Sequence, residues 1–424
     1  MFLPYFSIMK RLLLCAAASL TAVLSTAQCD GNRFFNQVFN DYTEIENIVY
    51  GENINYQGST TELLLDVYQP VGDIETARPL IVMVHGGSFI GGSKDGVDVT
   101  SLASDFTKMG YVVASINYRL GLPITLDLET PATEAVVRGY HDAKAAVRFF
   151  RKDIAESGNT YNINTDEIYM TGVSAGGFVA LHVAYMDELS EMPAAIDQTL
   201  PGLGGGLEGT SGNDGYSSDV KGIVNIAGAI GDTTWIQPND EPILSFHGTG
   251  DTVVPFDSDM LQIFGFDVLE VDGSNSVHER ANNIGLFNCF EVYEGQGHVP
   301  HVDNVAYYDT TRSIMSSFIG SLVCPFSEMD CEYREVELDI DQLTPNNIVQ
   351  VFPNPAKVHL TIRASVFQNE NAFAQVFNTS GQLVKTFTLN RGEAQVNVEE
   401  LSSGVYVIQI NGEERIVSER IVIE

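Results

Sequence analysis

One stretch narrows the possible folds more than any other: EIYMTGVSAGGFVALHVAYM, residues 167–186. It begins as a short β-rich run, turns through Gly172-Val173-Ser174-Ala175-Gly176, and continues with helical periodicity. A G-x-S-x-G pentapeptide takes its meaning from this strand–turn–helix setting. The turn is so tight that its serine adopts a strained backbone, and a Cβ at Gly172 or Gly176 would collide with its neighbours. Ser174 Oγ is then lifted above the end of a sheet. The helix N-terminus behind it favours developing negative charge.

The surrounding sequence supplies the sheet. From Thr61 to Leu322, strand-like runs alternate with helical stretches; the runs include LLLDVYQP, PLIVMVHGG, YVVASINYR, KGIVNIAGA, PILSFHGTG and LFNCFEVYEG. Several are continuously apolar, as strands covered on both faces are. ATEAVVRGYHDAKAAVRFFRKDIAES places Ala135, Val136, Ala143, Ala146, Val147 and Phe150 on one broad helical face. NVAYYDTTRSIMSSFIGSL is helical too. Such alternation predicts an α/β architecture, a mostly parallel sheet with helices on both faces. Leu200 to Ser218 is too glycine-rich for a regular element and predicts a long surface loop, either a rim of a substrate cleft or an inert insertion.

A serine alcohol needs a base to become a nucleophile. In this kind of fold the acid and then the histidine follow the serine, on loops after later strands. PILSFHGTGDTVVP offers Asp251, and FEVYEGQGHVPH offers His298. Asp251 would hold the imidazole in the required tautomer and stabilise its charged form. Asp257 and Asp259 read as solvated loop charges. His301 competes with His298, but Gly295 and Gly297 give His298 a loop that curls back over the sheet edge. His301 instead adjoins the last helix, where Asp303 is the expected N-cap.

The attacked carbonyl oxygen becomes an oxyanion that needs two or three fixed donors. HGGSFIGGS, residues 85–93, directly follows PLIVMV. Its Gly87 and Ser88 N–H groups, with that of Ala175, are the expected donors, and Gly86 allows the bend. The H-x-x-H of His298 and His301 contains Pro300, which opposes the helix that would align two metal ligands. No phosphate-cradling loop, dinucleotide fingerprint or C-x-x-C is present, so no cofactor and no metal are expected.

LDVYQP, VHGGSF, INYRLG, DAKAAVRFFR, GVSAGG and HGTGDTVVP occur in this order across Thr61 to Leu322. Together they resemble the α/β-hydrolases of the carboxylesterase and feruloyl-esterase-like kind. The resemblance implies the α/β-hydrolase fold and a serine esterase that forms an acyl-enzyme on Ser174. It implies acetyl, feruloyl or short-chain esters as substrates, free or borne on a polysaccharide or polyester. A serine peptidase or amidase shares the same triad, and a catalytically silent hydrolase fold used for adhesion is the alternative from another class. Ser88 stands where the family often has a third glycine; a serine N–H serves equally. Tyr118, Arg119 and Asp142 match positions read as structural. Trp235 is either an acyl-pocket residue or a core residue.

After Asn346 the pattern changes to short alternating strands around turns such as TSG, SSG and NGE, which predicts a small antiparallel β-sandwich. FPNPA (352–356), VFNTSGQLV (376–384) and LSSGVYVIQI (401–410) resemble the C-terminal sorting domain of type IX secretion cargo. That resemblance implies the type IX secretion machinery as a partner and export through the periplasm of a Gram-negative bacterium to the cell surface or medium. The N-terminus agrees. Lys10 and Arg11 precede LLLCAAASLTAVL, and STA precedes Gln28, the pattern of a cleaved signal peptide over residues 1–27. The apolar run is too short to span a bilayer comfortably, and no second segment could span one. The expected organisation is therefore signal peptide 1–27, catalytic domain 28–322, acidic linker 323–346 and sorting sandwich 347–424.

Charge limits the partners. Lys and Arg number 22 against 56 Asp and Glu, a net charge of −34. Such a surface repels phosphate backbones and anionic lipid, which excludes nucleic-acid binding. Removal of residues 1–27 leaves Cys29, Cys289, Cys324 and Cys331, which allow two disulfides in three connectivities. Cys289 with Cys324 is the expected pair, because both flank the end of the main domain.

Overall fold

The computed structural model describes residues 29, 32–123, 125, 127–263, 265–324, 331, 349–364, 367, 372–378, 383–412 and 416–423. The signal peptide and nearly all of the linker lie outside these residues. The chain forms two compact units, Met1–Glu335 and Val336–Glu424.

The first unit is built on an eight-stranded sheet. Its strands are β1 (Tyr42–Ile54), β2 (Thr60–Pro70), β3 (Arg78–Val84), β4 (Val112–Ile116), β5 (Ile163–Val173), β6 (Ile223–Ile226), β8 (Ile243–Gly248) and β11 (Asn288–Tyr293), in the order β1-β2-β4-β3-β5-β6-β8-β11. β1, β2 and β4 pair antiparallel, and every pair from β4 to β11 is parallel. β7 (Ala229–Ile230), β9 (Ser258–Ile263) and β10 (Phe266–Gly273) form a small separate sheet. The helices are α1 (Val97–Lys108), α2 (Glu129–Lys152), α3 (Ala175–Tyr185), α4 (Ser274–Ile284) and α5 (Val305–Val323).

β3 shows why the apolar runs were readable. All seven of its residues are buried, Leu80, Val82 and Val84 against one core and Ile81 and Met83 against the other. The first core takes Val147 of α2 and Val179 of α3; the second takes Phe106 of α1 and Phe318 of α5. This is the α/β-hydrolase architecture expected above. β3 is also where the winding reverses, since β4 lies on one side of it and β5 on the other. The loops leaving β3 and β5 therefore diverge and open a crevice at the carboxyl ends of the strands.

Four elements escaped the sequence reading: β1, α1, the β9–β10 hairpin and α4. β1 is mostly exposed and pairs only with β2, so it lacks the apolar run of a covered strand. Leu200 to Ser218 is irregular, as expected, and it is fastened to α2. Glu208 accepts from Lys144 (3.2 Å) and Arg148 (2.7 Å) of α2, and Ser211 Oγ donates to Asp142 at 2.5 Å. The loop thus completes a buried network in which Arg119 and Asp142, both fully buried, pair at 2.8 Å. Tyr118 and this pair are structural, as read.

The expected Cys289–Cys324 disulfide is corrected. The bonds join Cys29 to Cys324 and Cys289 to Cys331. Phe35 lies across Gly320 in the last turn of α5, where any Cβ would strike its ring. The N-terminal segment therefore runs along the end of α5, which brings Cys29 to Cys324 and leaves Cys289 for Cys331. The cap of α5 also differs: Asn304, not Asp303, accepts the Ala306 N–H at 2.9 Å.

The second unit pairs its strands antiparallel throughout. β12 (Val349–Phe352), β13 (His359–Ala364) and β16 (Glu393–Asn397) form one sheet in the order β12-β13-β16. β14 (Ala372–Asn378), β15 (Leu383–Leu389), β17 (Gly404–Asn411) and β18 (Ile416–Ile423) form the other in the order β15-β14-β17-β18. Ile362, Val376, Ile408 and Ile421 lie in its own core.

Candidate active site

Ser174 occupies the single residue between β5 and α3, with φ 54° and ψ −115°. A β-carbon on Gly172 would run into the Gly176 carbonyl, and one on Gly176 into the Val84 carbonyl. Only this pair of glycines lets the turn close so tightly. The Ser174 N–H donates to the Ile226 carbonyl at 2.8 Å, tying the turn to β6.

The loops after β8 and β11 lie side by side because those strands pair. Gly250 N–H donates to Gln296 O at 2.8 Å, and Gly295 N–H to Thr249 Oγ1 at 2.8 Å. This joins Asp251 and His298 across 47 residues. His298 Nδ1 donates to Asp251 Oδ2 at 2.6 Å, and Ser174 Oγ lies 2.8 Å from His298 Nε2. The Asp251 side chain is fully buried, while that of His298 is 19% exposed. Burial alone would raise the Asp251 carboxyl. Hydrogen bonds from His247, His298 and the Val253 N–H outweigh it and hold the group well below the usual carboxylate range.

His247 is the partner that sequence reasoning missed. Its Nε2 stands 3.3 Å from the same Asp251 Oδ2, and its Nδ1 lies 2.7 Å from Ser274 Oγ. Asn225 Nδ2 donates to Ser274 Oγ at 3.0 Å, and Asn225 Oδ1 accepts the Gly228 N–H at 2.9 Å. The acid thus sits on a buried polar network. The only sequence signal was the HG dipeptide four residues before the aspartate.

The loop after β3 is equally fixed. Tyr118 Oη donates to His85 O at 3.1 Å, Gly86 N–H donates to Asp98 Oδ2 at 2.8 Å, and His85 Nδ1 lies 2.6 Å from Gly86 O. Gly87 and Ser88 follow with φ of 117° and 55°. A left-handed serine is a strained residue that its surroundings hold in place. Among the described residues, no protein acceptor takes the N–H of Gly87, Ser88 or Ala175. Asp98 and the His85 ring were not singled out by sequence reasoning, because their partners are fixed only by the loop's path.

His301 does not join this group. It is 2% exposed, and neither ring nitrogen has a hydrogen-bond partner. His141, His182, His278 and His301 are all buried, and burial pulls each down to about 4. Unfolded, each would titrate near ~6.5. Their contribution to stability is therefore complete above that pH and is lost as pH falls toward 4. Burial raises Glu241 to about 7, so it binds a proton on folding and opposes them by one. Unfolding near pH 5 should take up about three protons net from these five groups, and His278→Gln should remove about one. Calorimetry in buffers of different ionisation enthalpy reads the count; no uptake would contradict it.

A cavity of ≈ 290 Å³ is lined by Phe89, next in the β3 loop to Ser88, by Phe178 of α3 and by Trp235. Trp235 therefore lines a pocket. No residue of 200–218 does so here. Among the described residues, no helix is long and apolar enough to cross a membrane.

Residues 65–230 match the BD-FAE family, and residues 350–424 match the secretion system C-terminal sorting domain. Pyrethroid hydrolase Ces2a of Mus musculus is 36% identical over 117 residues, covering 27% of this chain and 19% of that protein. Carboxylesterase 3 of Homo sapiens is 32% identical over 136 residues, covering 31% of this chain and 22% of that protein. The chain thus spans about a fifth of the length of these relatives. Esterase 2 of Thermogutta terrifontis superposes with a TM-score of 0.46 at 20% identity, covering 66% of this chain and 94% of that one. The chain accordingly carries one segment that matches the esterase-like BD-FAE α/β-hydrolases and a C-terminal segment that matches a type IX sorting domain, which indicates export to the cell surface or the medium.

Proposed function

We propose that the protein is a secreted serine esterase that hydrolyses carboxylic esters through an acyl-enzyme on Ser174. The observation that carries this reading is the unbroken relay Ser174–His298–Asp251, at 2.8 and 2.6 Å; the N–H groups of Gly87, Ser88 and Ala175 have no protein acceptor among the described residues. Ser174 Oγ attacks the ester carbonyl carbon while its proton passes to His298 Nε2. The carbonyl oxygen becomes an oxyanion that accepts from Gly87, Ser88 and Ala175 N–H. His298 then protonates the leaving alcohol as the C–O bond breaks. Water, deprotonated by the same nitrogen, releases the acid and restores Ser174. Asp251 stays ionised throughout and stabilises the imidazolium. The acyl groups proposed are acetyl, feruloyl or short-chain, with the ester free or polymer-borne.

A fluorophosphonate probe and a panel of p-nitrophenyl esters test the reading. Covalent labelling of Ser174 with ester turnover is expected. Folded protein that forms no adduct would sink the enzyme reading, and labelling with turnover of amides alone would make it a peptidase or amidase.

His247 gives a second test. It shares Asp251 Oδ2 with His298, so its loss removes one of the contacts that hold the carboxylate ionised and in place. His247→Leu should lower kcat about tenfold with KM little changed, and His247→Gln, which can still donate to the carboxylate, should recover part of the loss. A lower kcat that His247→Gln does not recover would make His247 merely structural.

The sorting role is tested by deleting Asn346 to Glu424. The hydrolase unit has its own cores, so catalysis should survive. Active enzyme should then accumulate in the periplasm, and release of the truncated chain from the cell would refute the role.

A further inference from the structure

The cavity beside α3 is apolar along much of its wall, but one wall group is not. His182 is 6% exposed and belongs to the lining. Its Nδ1 lies 2.7 Å from the Phe178 carbonyl oxygen, an acceptor only, so Nδ1 carries the hydrogen. Burial keeps the ring neutral at ordinary pH, which leaves a lone pair on Nε2. Among the described residues, the ring's only hydrogen bond is the one from Nδ1. Unlike Nε2 of His85 and of His278, Nε2 of His182 is not among the sealed, unpaired nitrogens. Gly231 borders it: a Cβ there would strike the Trp235 ring at 2.8 Å and stand 3.6 Å from Nε2. The Trp235 ring packs against the imidazole at 5.6 Å and 73°, which holds its plane.

The position of His182 sets what it can reach. Phe178 and His182 lie four apart on one face of α3, and Ser174 is the N-cap residue of the same helix. Eight residues put the His182 Cα about 12 Å along the axis from Ser174, and the side chain's lean toward the N-terminus shortens the reach to roughly 8–9 Å. The leaving alcohol must lie within reach of His298, and no residue of the His298 loop lines the cavity. The acyl group is therefore the part directed into it. Glu129, Asp232 and Glu270 also border the cavity and repel an anionic acyl chain.

We infer that this cavity is an acyl site for uncharged acyl groups carrying a hydroxyl, with His182 Nε2 as the acceptor that selects them. The inference rests on the esterase reading above. An unpaired acceptor on an apolar wall favours a ligand that supplies a donor and penalises one that does not.

Matched methyl esters test it: 8-hydroxyoctanoate against octanoate, and 3-(4-hydroxyphenyl)propanoate against 3-phenylpropanoate. In at least one pair the hydroxylated ester should show kcat/KM higher by about tenfold or more. That ratio should fall to about one in His182→Leu and persist in part in His182→Gln, which keeps an acceptor. Fluorophosphonate labelling of Ser174 in each variant checks that the site is assembled. Labelled, ester-hydrolysing protein with no preference in either pair, or with one unchanged in His182→Leu, overturns the cavity assignment alone. Wild-type protein that neither labels nor turns over any ester overturns the esterase reading.

Discussion

His298→Ala should lower kcat by roughly four to six orders of magnitude, while His301→Ala should cost about tenfold or less. The two residues lie three apart in one loop, yet their surroundings differ. His298 Nε2 faces Ser174 Oγ at 2.8 Å, its Nδ1 is held by Asp251, and part of its ring is open. A proton can therefore enter from the serine and leave to an alcohol. His301 is sealed, and burial together with the nearby His298 keeps it neutral. Removing His298 takes away the base for attack and the acid for departure, and leaves only binding and the oxyanion donors. Steady-state kinetics on one ester, with folding checked by circular dichroism, measures both variants. Reversed effects would reassign the base to His301 and leave the acyl-enzyme route intact.

Asp142→Ala should produce the largest loss of stability, about 3–5 kcal/mol. Asp142 accepts from the Arg119 N–H at 2.8 Å, from its guanidinium at 2.8 Å and from Ser211 Oγ at 2.5 Å, with both charged side chains fully buried. The substitution leaves a guanidinium uncompensated inside the protein. It also frees the 200–218 loop from one of its fastenings. The double variant Arg119→Met, Asp142→Leu should be less destabilised than Asp142→Ala, because removing both charges avoids the unpaired one. Urea unfolding followed by fluorescence reads both, and an Asp142→Ala loss within about 1 kcal/mol would show that the pair is dispensable.

Much of this protein was legible because its signals are local. Strands such as β3 and β8 are covered on both faces, so they appear as unbroken apolar runs. The nucleophile turn is written in five consecutive residues, since its two glycines answer contacts that the turn itself creates with its helix and with β3. Elements that are half exposed or lie outside the main sheet gave no such run, and β1 and the β9–β10 hairpin were missed for that reason.

The sequence by itself determined the alternating architecture, the strained serine and the order in which an acid and a histidine follow it. Each depends on spacing along the chain, or on the polarity demanded of a residue wherever it is buried. The tertiary structure alone decided that His247 supports Asp251, that Asp98 steadies the β3 loop, and that His182 lines the cavity beside α3. It alone paired Cys29 with Cys324, because the N-terminal segment crosses the end of α5 at Gly320. These contacts join residues tens to hundreds of positions apart. Their partners are chosen by the neighbour order of strands and the path of loops, and no local pattern of residue types encodes either.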